Sequence, residues 1–297
     1  MKPEVSDAEL QRFLQRQFRA QITMRPVAEG IESRTTAFVL AGEPSILRVG
    51  AAGSVGQGFL KDRLAYDRFR SATVAVPEVV AVGEFGPGLD YCITRRLPGA
   101  TLEDSSPDAV TRVLDATVDV MAAIWATDVS FTSGYGVLDA AGRAPDASWQ
   151  GHLSRIAREC SEGVAEVVRD RAALRVLDAF TGLTNSCPEE RRLFHRDFGA
   201  SNVLSDGARI TGVLDWDSAS CGDPLWDVAT ALFWATWLRC FALLEPHCRR
   251  RLGHLPGYAE RTLCYALGIG LQVAARGHGE MRRWAGRRCL ELLGQRG

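Results

Sequence analysis

Apolar positions open the chain at helical spacing. Leu10, Phe13, Leu14 and Phe18 share one helix face and predict an amphipathic helix near the N-terminus. The period then shortens. Thr36–Leu40 and Ser45–Val49 are β-rich runs on either side of Ala41-Gly42-Glu43-Pro44, which predicts a hairpin. Leu60, Leu64 and Phe69 restore helical spacing over 60–69, and Val79–Glu84 with Leu89–Thr94 predict a second strand pair around Gly86-Pro87-Gly88. After Leu97-Pro98-Gly99 the pattern turns helical. Ser106 followed by Pro107 is a capping residue before a proline at the first helical position, and the helix it opens is predicted to reach Trp125. Residues 149–180 read as mostly helical with Gly163 a weak point, and three more helical stretches follow Pro224, Gly257 and Gly279. The expectation is an α+β chain with a β-rich N-terminal part and a mostly helical C-terminal part, divided near Pro98-Gly99.

One β element interrupts the helical part. Asn202–Ser205 and Arg209–Leu214 flank Asp206-Gly207, a strong hairpin signal. A two-residue Asp206-Gly207 turn pairs 205 with 208, sets Asn202 opposite Thr211, and brings Asp215 across from residue 198. Asn202, Asp215 and the segment before Asn202 are thus expected at the open end of one hairpin.

Composition narrows the class. The 297 residues are 46% hydrophobic and 24% charged, which is globular rather than disordered or collagen-like. A net charge of -1 excludes a polyelectrolyte partner for nucleic acid. None of the eight cysteines has C-x-x-C spacing, so zinc and dithiol chemistry are not expected. The N-terminal MKPEVSDAEL lacks the apolar core of a signal peptide, and the longest apolar stretches, 228–238 and 263–271, are too short to span a bilayer. A cytoplasmic, reduced protein without a membrane partner is expected. Only Lys2 and Lys61 are lysine among 35 basic residues, so any chemistry that normally relies on lysine must use one of them or an arginine.

The chemistry concentrates in Leu193-Phe194-His195-Arg196-Asp197-Phe198-Gly199-Ala200-Ser201-Asn202, followed by Val213-Leu214-Asp215-Trp216-Asp217. With five histidines, 19 aspartates and two asparagines in the chain, H-x-D-x₄-N would arise by chance about 2 times in 1,000. Phosphoryl transfer requires a group that accepts a hydroxyl proton and oxygen ligands for magnesium. Asp197 can accept the proton, Asn202 and Asp215 can supply the oxygens, and His195 can orient the loop. A polar loop with a capping Asn is the plainer alternative.

This pattern, with Gly222-Asp223-Pro224-x-x-Asp227 after it, resembles the aminoglycoside phosphotransferases and related small-molecule kinases. Supporting stretches are Glu29-Gly30-x-Glu32-Ser33-Arg34, Leu47-Arg48-Val49, Lys61-Asp62-Arg63, Pro77-Glu78-Val79, Tyr91-Cys92-Ile93 and Phe233-Trp234-x-x-Trp237. The resemblance implies a bilobal protein-kinase-like fold, with a nucleotide-binding lobe over 1–97 and a catalytic, acceptor-binding lobe over 98–297. It implies ATP and Mg2+ as cofactors and a small-molecule antibiotic as acceptor, in a chain expected to act as a monomer. Asp197 would be the catalytic base, with Asn202 and Asp215 as magnesium ligands. Gly30, Ser33 and Arg34 would cover the phosphates. Arg48 stands where such kinases usually carry lysine, and Asp62 where they carry glutamate. Arg95 and Leu97 would offer the linker to adenine. Asp217, Trp234 and Trp237 would face the acceptor, although core packing explains the tryptophans equally well.

Two features argue against a protein kinase: Gly199 stands two residues after Asp197, where protein kinases commonly have lysine, and only seven residues separate Asp215 from Asp223. Residues 236–297 hold 11 Arg against four Asp/Glu, which favours an acceptor with few amines. The alternatives are a kinase for another small alcohol (choline-, homoserine- or macrolide-like) and a nucleotide-binding pseudokinase, for which Arg48 in place of lysine is the best argument.

Overall fold

The structure is a computed structural model and describes residues 2–27, 32–165, 171–277 and 279–295. Gly30 lies outside the described residues. The chain divides into two compact units.

The first unit covers Met1–Gly99 together with 139–141 and 211–217. In chain order it holds α1 (Asp7–Phe18), β1 (Met24–Pro26), β2 (Arg34–Leu40), β3 (Glu43–Ala51), α2 (Ser54–Arg68), β4 (Val79–Gly86) and β5 (Leu89–Arg95). The strands form one antiparallel sheet in the order β1-β2-β3-β5-β4. Strand alternation decides what each face carries. Leu47, Val49, Tyr91 and Ile93 pack with Leu10, Phe13 and Leu14 of α1. The intervening Cys92 packs with Phe59 of α2 and Val79 instead, and Arg48, paired in register with Cys92, lies on that same side. α1 begins at a capping box: Ser6 accepts from the Glu9 N–H, and the Glu9 carboxylate accepts from the Ser6 N–H at 2.8 Å. The first hairpin turns more tightly than the sequence suggested. β3 starts at Glu43, so Ala41 (φ 53°) and Gly42 (φ 85°) alone make the turn, and both take the left-handed conformation a two-residue hairpin requires.

The second unit covers 100–138, 142–210 and 218–297. It holds β6 (Ala100–Thr101), α3 (Pro107–Trp125), β7 (Gly136–Val137), α4 (Trp149–Ala165), α5 (Arg171–Thr184), β8 (Arg192–Phe194) and β9 (Val203–Ser205). β10 (Ile210–Val213) then carries the chain into the 211–217 segment. β11 (Ser220–Gly222), α6 (Leu225–Trp234), α7 (Arg239–Leu252), α8 (Tyr258–Arg276) and α9 (Gly279–Gly294) complete the second unit. Short strands tie its loops down: β6 pairs with β9, and β11 pairs with both β7 and β8. α3 starts at the Ser106 cap and Pro107 and ends at Trp125, as the sequence predicts. α6 is apolar nearly all round, and eight of its ten residues are buried. Trp226 stacks with Tyr265 of α8 at 5.5 Å and meets Trp149 of α4 edge-on at 6.0 Å.

Two further sequence expectations change. The 239–252 helix was not foreseen, because Pro246 lies inside it and an arginine run closes it. The hairpin after Asn202 turns on Gly207 and Ala208, not on Asp206 and Gly207. Asp206 donates its N–H to Arg209 O at 3.3 Å, and its carboxylate accepts the N–H groups of Ala208 and Arg209 at 3.0 Å each. Gly207 has φ 89°, so the glycine, not the aspartate, takes the first central position. No helix among the described residues is long and apolar enough to cross a membrane.

Candidate active site

The loop after β8 is held from below by one buried carboxylate. Asp227, in the first turn of α6, is wholly buried. It accepts from the His195 N–H at 3.1 Å, the Arg196 N–H at 2.7 Å and the Trp125 indole N–H at 3.2 Å. Burial pushes its carboxyl pKa up, against the donors that favour the charged form. The loop backbone is bent to match. Arg196 (φ 72°), Gly199 (φ 114°) and Ala200 (φ 42°) are all left-handed. Gly199 is required twice over, since a Cβ there would lie 2.4 Å from Phe241 Cε1 of α7.

That anchoring leaves Asp197 exposed, whereas His195, two residues before it, and Phe198, just after it, are buried. Asn202 closes the loop. Its N–H donates to Gly199 O at 2.8 Å, and its side-chain Nδ2 donates to Asp197 Oδ2 at 2.9 Å and Asp197 O at 3.0 Å. The amide thus steadies the carboxylate while its own Oδ1 is the atom suited to a hard cation. His195 is fully buried, with its ring edge-on to Phe198 at 6.1 Å. The loop can therefore present one oriented carboxylate and one amide oxygen.

Arg196 extends the support sideways. Its guanidinium lies over the Trp226 ring at 4.4 Å, donates to Gln272 Oε1 at 3.2 Å and meets His152 Nε2 at 3.4 Å. Burial, with Arg276 and Arg155 nearby, brings its pKa down to about 10. His152 is pushed down to about 4, first by burial and then by Arg196, against the pull of Asp146 2.8 Å from its Nδ1.

In the first unit a second constellation forms around α2. Arg48 of β3 is ion-paired with Asp62 and lies 5.1 Å above the Phe59 ring. Burial lowers the Arg48 pKa, but the Asp62 carboxylate, through its charge and its hydrogen bond, outweighs it and leaves it raised. The other Asp62 oxygen accepts from the Trp216 N–H at 3.2 Å, next to Asp215, whose φ is 58°. Asp62 therefore ties the strand arginine to the backbone beside Asp215. The neighbouring Lys61 is ion-paired with Asp217 Oδ1 at 2.6 Å. Asp217 is thus engaged by a lysine already, a pairing that sequence separation concealed.

The other candidates read from the sequence have surroundings of their own. Arg34 donates to Val5 O at 3.2 Å and pairs with Asp7, by the start of α1, whereas Arg48 faces α2. Ser33 Oγ lies 3.5 Å from Thr35 Oγ1. Arg95 donates to Leu40 O and Ser45 Oγ, each at 3.2 Å, and Leu97 is half-buried. Trp234 ends α6, while Trp237 lies beyond it in a turn, its N–H donating to Trp234 O at 2.8 Å. Two functional-looking residues escaped the sequence reading: Asp227 as the loop's anchor, and Trp284. An acid in the otherwise apolar Leu225–Trp234 run was the available sign of the first.

No cluster of three or more His, Cys, Asp or Glu able to hold a metal occurs among the described residues.

Residues 23–263 match the phosphotransferase enzyme family, APH. The chain belongs to that family. It is 37% identical over 299 residues to hygromycin-B 4-O-kinase of Escherichia coli, covering 98% of this chain and 86% of that protein. It is 34% identical over 152 residues to viomycin phosphotransferase of Streptomyces vinaceus, about half of each chain. Among solved structures, a thermostable mutant of aminoglycoside phosphotransferase APH(4)-Ia in ternary complex with AMP-PNP and hygromycin B superposes with a TM-score of 0.90 at 36% identity, covering 97% of this chain and 99% of that one. Aminoglycoside 2'-phosphotransferase-IIIa, at 16% identity and a TM-score of 0.71, shares the fold alone. The fold is the kinase-like aminoglycoside phosphotransferase fold, with an antiparallel N-terminal sheet and a helical C-terminal region.

Proposed function

We propose that this chain transfers the γ-phosphoryl group of ATP to a hydroxyl of an aminoglycoside-type antibiotic, hygromycin B foremost, and so confers resistance to it. The observation that carries the reading is near full-length similarity to a hygromycin-B kinase, joined to an intact His195-x-Asp197-x₄-Asn202 loop. On this reading residues 1–97 hold the nucleotide, and 98–297 carry the catalytic loop and bind the acceptor.

Asp197 accepts the proton of the acceptor hydroxyl. The freed oxygen forms its bond to the γ-phosphorus as the bond to the departing ADP oxygen breaks. Asn202, through the hydrogen bond to Oδ2, fixes the rotamer of that carboxylate, and His195 packs beneath the loop. Positioning of this kind is the larger part of phosphoryl-transfer catalysis. Asn202 and Asp215 are the hard-oxygen residues that would hold magnesium, which when bound neutralises charge on the β/γ-phosphate oxygens. Arg48, with its charge secured by Asp62, is suited to the nucleotide phosphates. A guanidinium can replace the family's lysine because it binds phosphate oxygens through a two-pronged fork. Ser33 and Arg34, with Gly30, are assigned to the phosphate-covering loop, Arg95 and Leu97 to the adenine side, and Asp217, Trp234 and Trp237 to the acceptor. The chain is proposed to act as a cytoplasmic monomer without a nucleic-acid partner.

The test is mass spectrometry of hygromycin B, other aminoglycosides and simple alcohols after incubation with the chain, ATP and Mg2+. A phosphate added to hygromycin B is expected. Phosphate added only to a non-aminoglycoside alcohol would replace this acceptor with another, and nucleotide binding without transfer to any acceptor would favour the pseudokinase.

A further inference from the structure

Three tryptophans, from the end of α6, the turn after it and α9, form one surface in the second unit. Trp284 of α9 stacks face-to-face on Trp234 at 5.1 Å and 15°, and it meets Trp237 edge-on at 4.8 Å and 65°. Trp237 is 43% exposed. Single exposed apolar side chains are ordinary. An exposed indole held edge-on by a second, which is stacked on a third, is a rigid aromatic platform.

The placement of Trp284 is over-determined. α9 buries Ala285, Arg288 and Cys289. Arg288 donates to Phe233 O at 3.1 Å and Leu232 O at 2.8 Å, satisfying carbonyls at the end of α6. Trp284 also meets the Phe233 ring at 5.1 Å. Gly270 of α8 lets the three helices close up, since a Cβ there would lie 2.2 Å from Cys289 Sγ and 2.8 Å from Phe233 Cε2. α9 is thus fastened to the end of α6 at the point where Trp234 and Trp237 emerge.

We propose that Trp284 is a specificity-determining, positioning residue. It holds the exposed indole of Trp237 as a stacking surface for an uncharged sugar or cyclitol ring of the acceptor. The proposal rests on the phosphotransferase reading above. The chemistry follows from the surface: an indole face packs against the C–H face of a saturated ring and excludes water there. The charges beside it set the class further. Arg283 and Arg287, at minus one and plus three from Trp284, are exposed and outnumber the exposed Glu280 at minus four, and the net positive charge opposes a polyamine at this spot. The ring bound here is therefore one of the acceptor's uncharged rings. Trp284 touches the acceptor through Trp237, so its removal loosens binding without altering the reacting groups.

The experiment compares wild type, Trp284→Ala, Trp284→Phe and Trp237→Ala in the full chain. It measures kcat and KM for hygromycin B and for ATP, the hygromycin-induced change in tryptophan fluorescence, and Tm. The expected result is an acceptor KM raised at least tenfold in Trp284→Ala and Trp237→Ala. The ATP KM stays within twofold, kcat within threefold, and Trp284→Phe recovers most of the loss. An unchanged acceptor KM in Trp284→Ala overturns the proposal, as does an equal rise in the KM for ATP. If Trp284→Ala does not fold, Trp237→Ala and Trp284→Phe decide: a wild-type acceptor KM in Trp237→Ala overturns it. Activity of wild type on hygromycin B with no effect of these variants removes this inference alone, whereas an inactive wild type removes the proposed function and this inference together.

Discussion

Replacing Asp227 by alanine tests the claim that the loop bearing Asp197 is held by one buried carboxylate. The substitution strands three donors: the N–H groups of His195 and Arg196 and the indole N–H of Trp125. A buried donor without a partner costs about 1–3 kcal/mol, so three would cost roughly 3–9 kcal/mol if none found another partner. Two effects reduce this. Removing the carboxylate also removes the cost of burying its charge, and burial is what drives its pKa up. Water admitted to the cavity left behind can satisfy some of the donors. A net loss of about 2–4 kcal/mol is expected, a large share of the stability of an ordinary domain. The functional effect should be larger than stability alone explains. Arg196 is left-handed at φ 72°, a conformation costing about 1–2 kcal/mol for a residue with a Cβ, and without its anchor it should relax. Urea unfolding followed by circular dichroism gives the stability, and ADP release well below the unfolding midpoint gives kcat. We expect kcat reduced at least 100-fold while the chain is still folded. Asp227→Asn, which keeps one acceptor oxygen, should fall between. Stability within 1 kcal/mol of wild type together with kcat within threefold would refute the anchoring argument.

Two further outcomes follow from neighbouring residues. The folded pKa of His152, about 4, lies below its ordinary 6.5, so as pH falls the unfolded chain takes up the proton first. Its contribution, full above pH 6.5, is therefore lost between pH 6.5 and 4, by about 2 kcal/mol from pH 7 to pH 5. His152→Gln should flatten that slope in urea midpoints compared at the two pH values, and an unchanged slope would exclude His152 as its source. Gly199→Ala should cost roughly 2–4 kcal/mol and most of the turnover, because both φ and Phe241 forbid a Cβ. Gly207→Ala, with a similar φ of 89° but Arg112 no nearer than 3.7 Å, should cost about 1 kcal/mol; equal losses in the two variants would show that the Phe241 contact is unimportant.

Local patterns carried much of this structure. Alternation in Leu47-Arg48-Val49 separates the α1 face from the α2 face of the sheet, and the Ser106-Pro107 pair marks the start of α3, because both signals lie within a few residues of their effect. The H-x-D-x₄-N spacing likewise brings Asp197 and Asn202 together in a hydrogen bond across five residues. What spacing cannot reveal is tertiary partnership. Asp227 reaches back 31 residues to Arg196, Lys61 meets Asp217 across 156 residues, and Trp284 meets Trp234 from another helix. The pairing of Arg34 with Asp7 was equally invisible. The hairpin register slipped because Asp206 and Gly207 each favour turns, and only the aspartate's own bonds to Ala208 and Arg209 decide which of them takes the left-handed position.

The central claim is that one carboxylate, Asp197, receives the acceptor's proton. Asp197→Ala, assayed for phosphate transfer to hygromycin B and for ATP binding by thermal shift with Mg2+, tests it most directly. Transfer is expected to fall at least 1,000-fold with the ATP-dependent shift retained. Transfer within tenfold of wild type by a folded Asp197→Ala chain would contradict it.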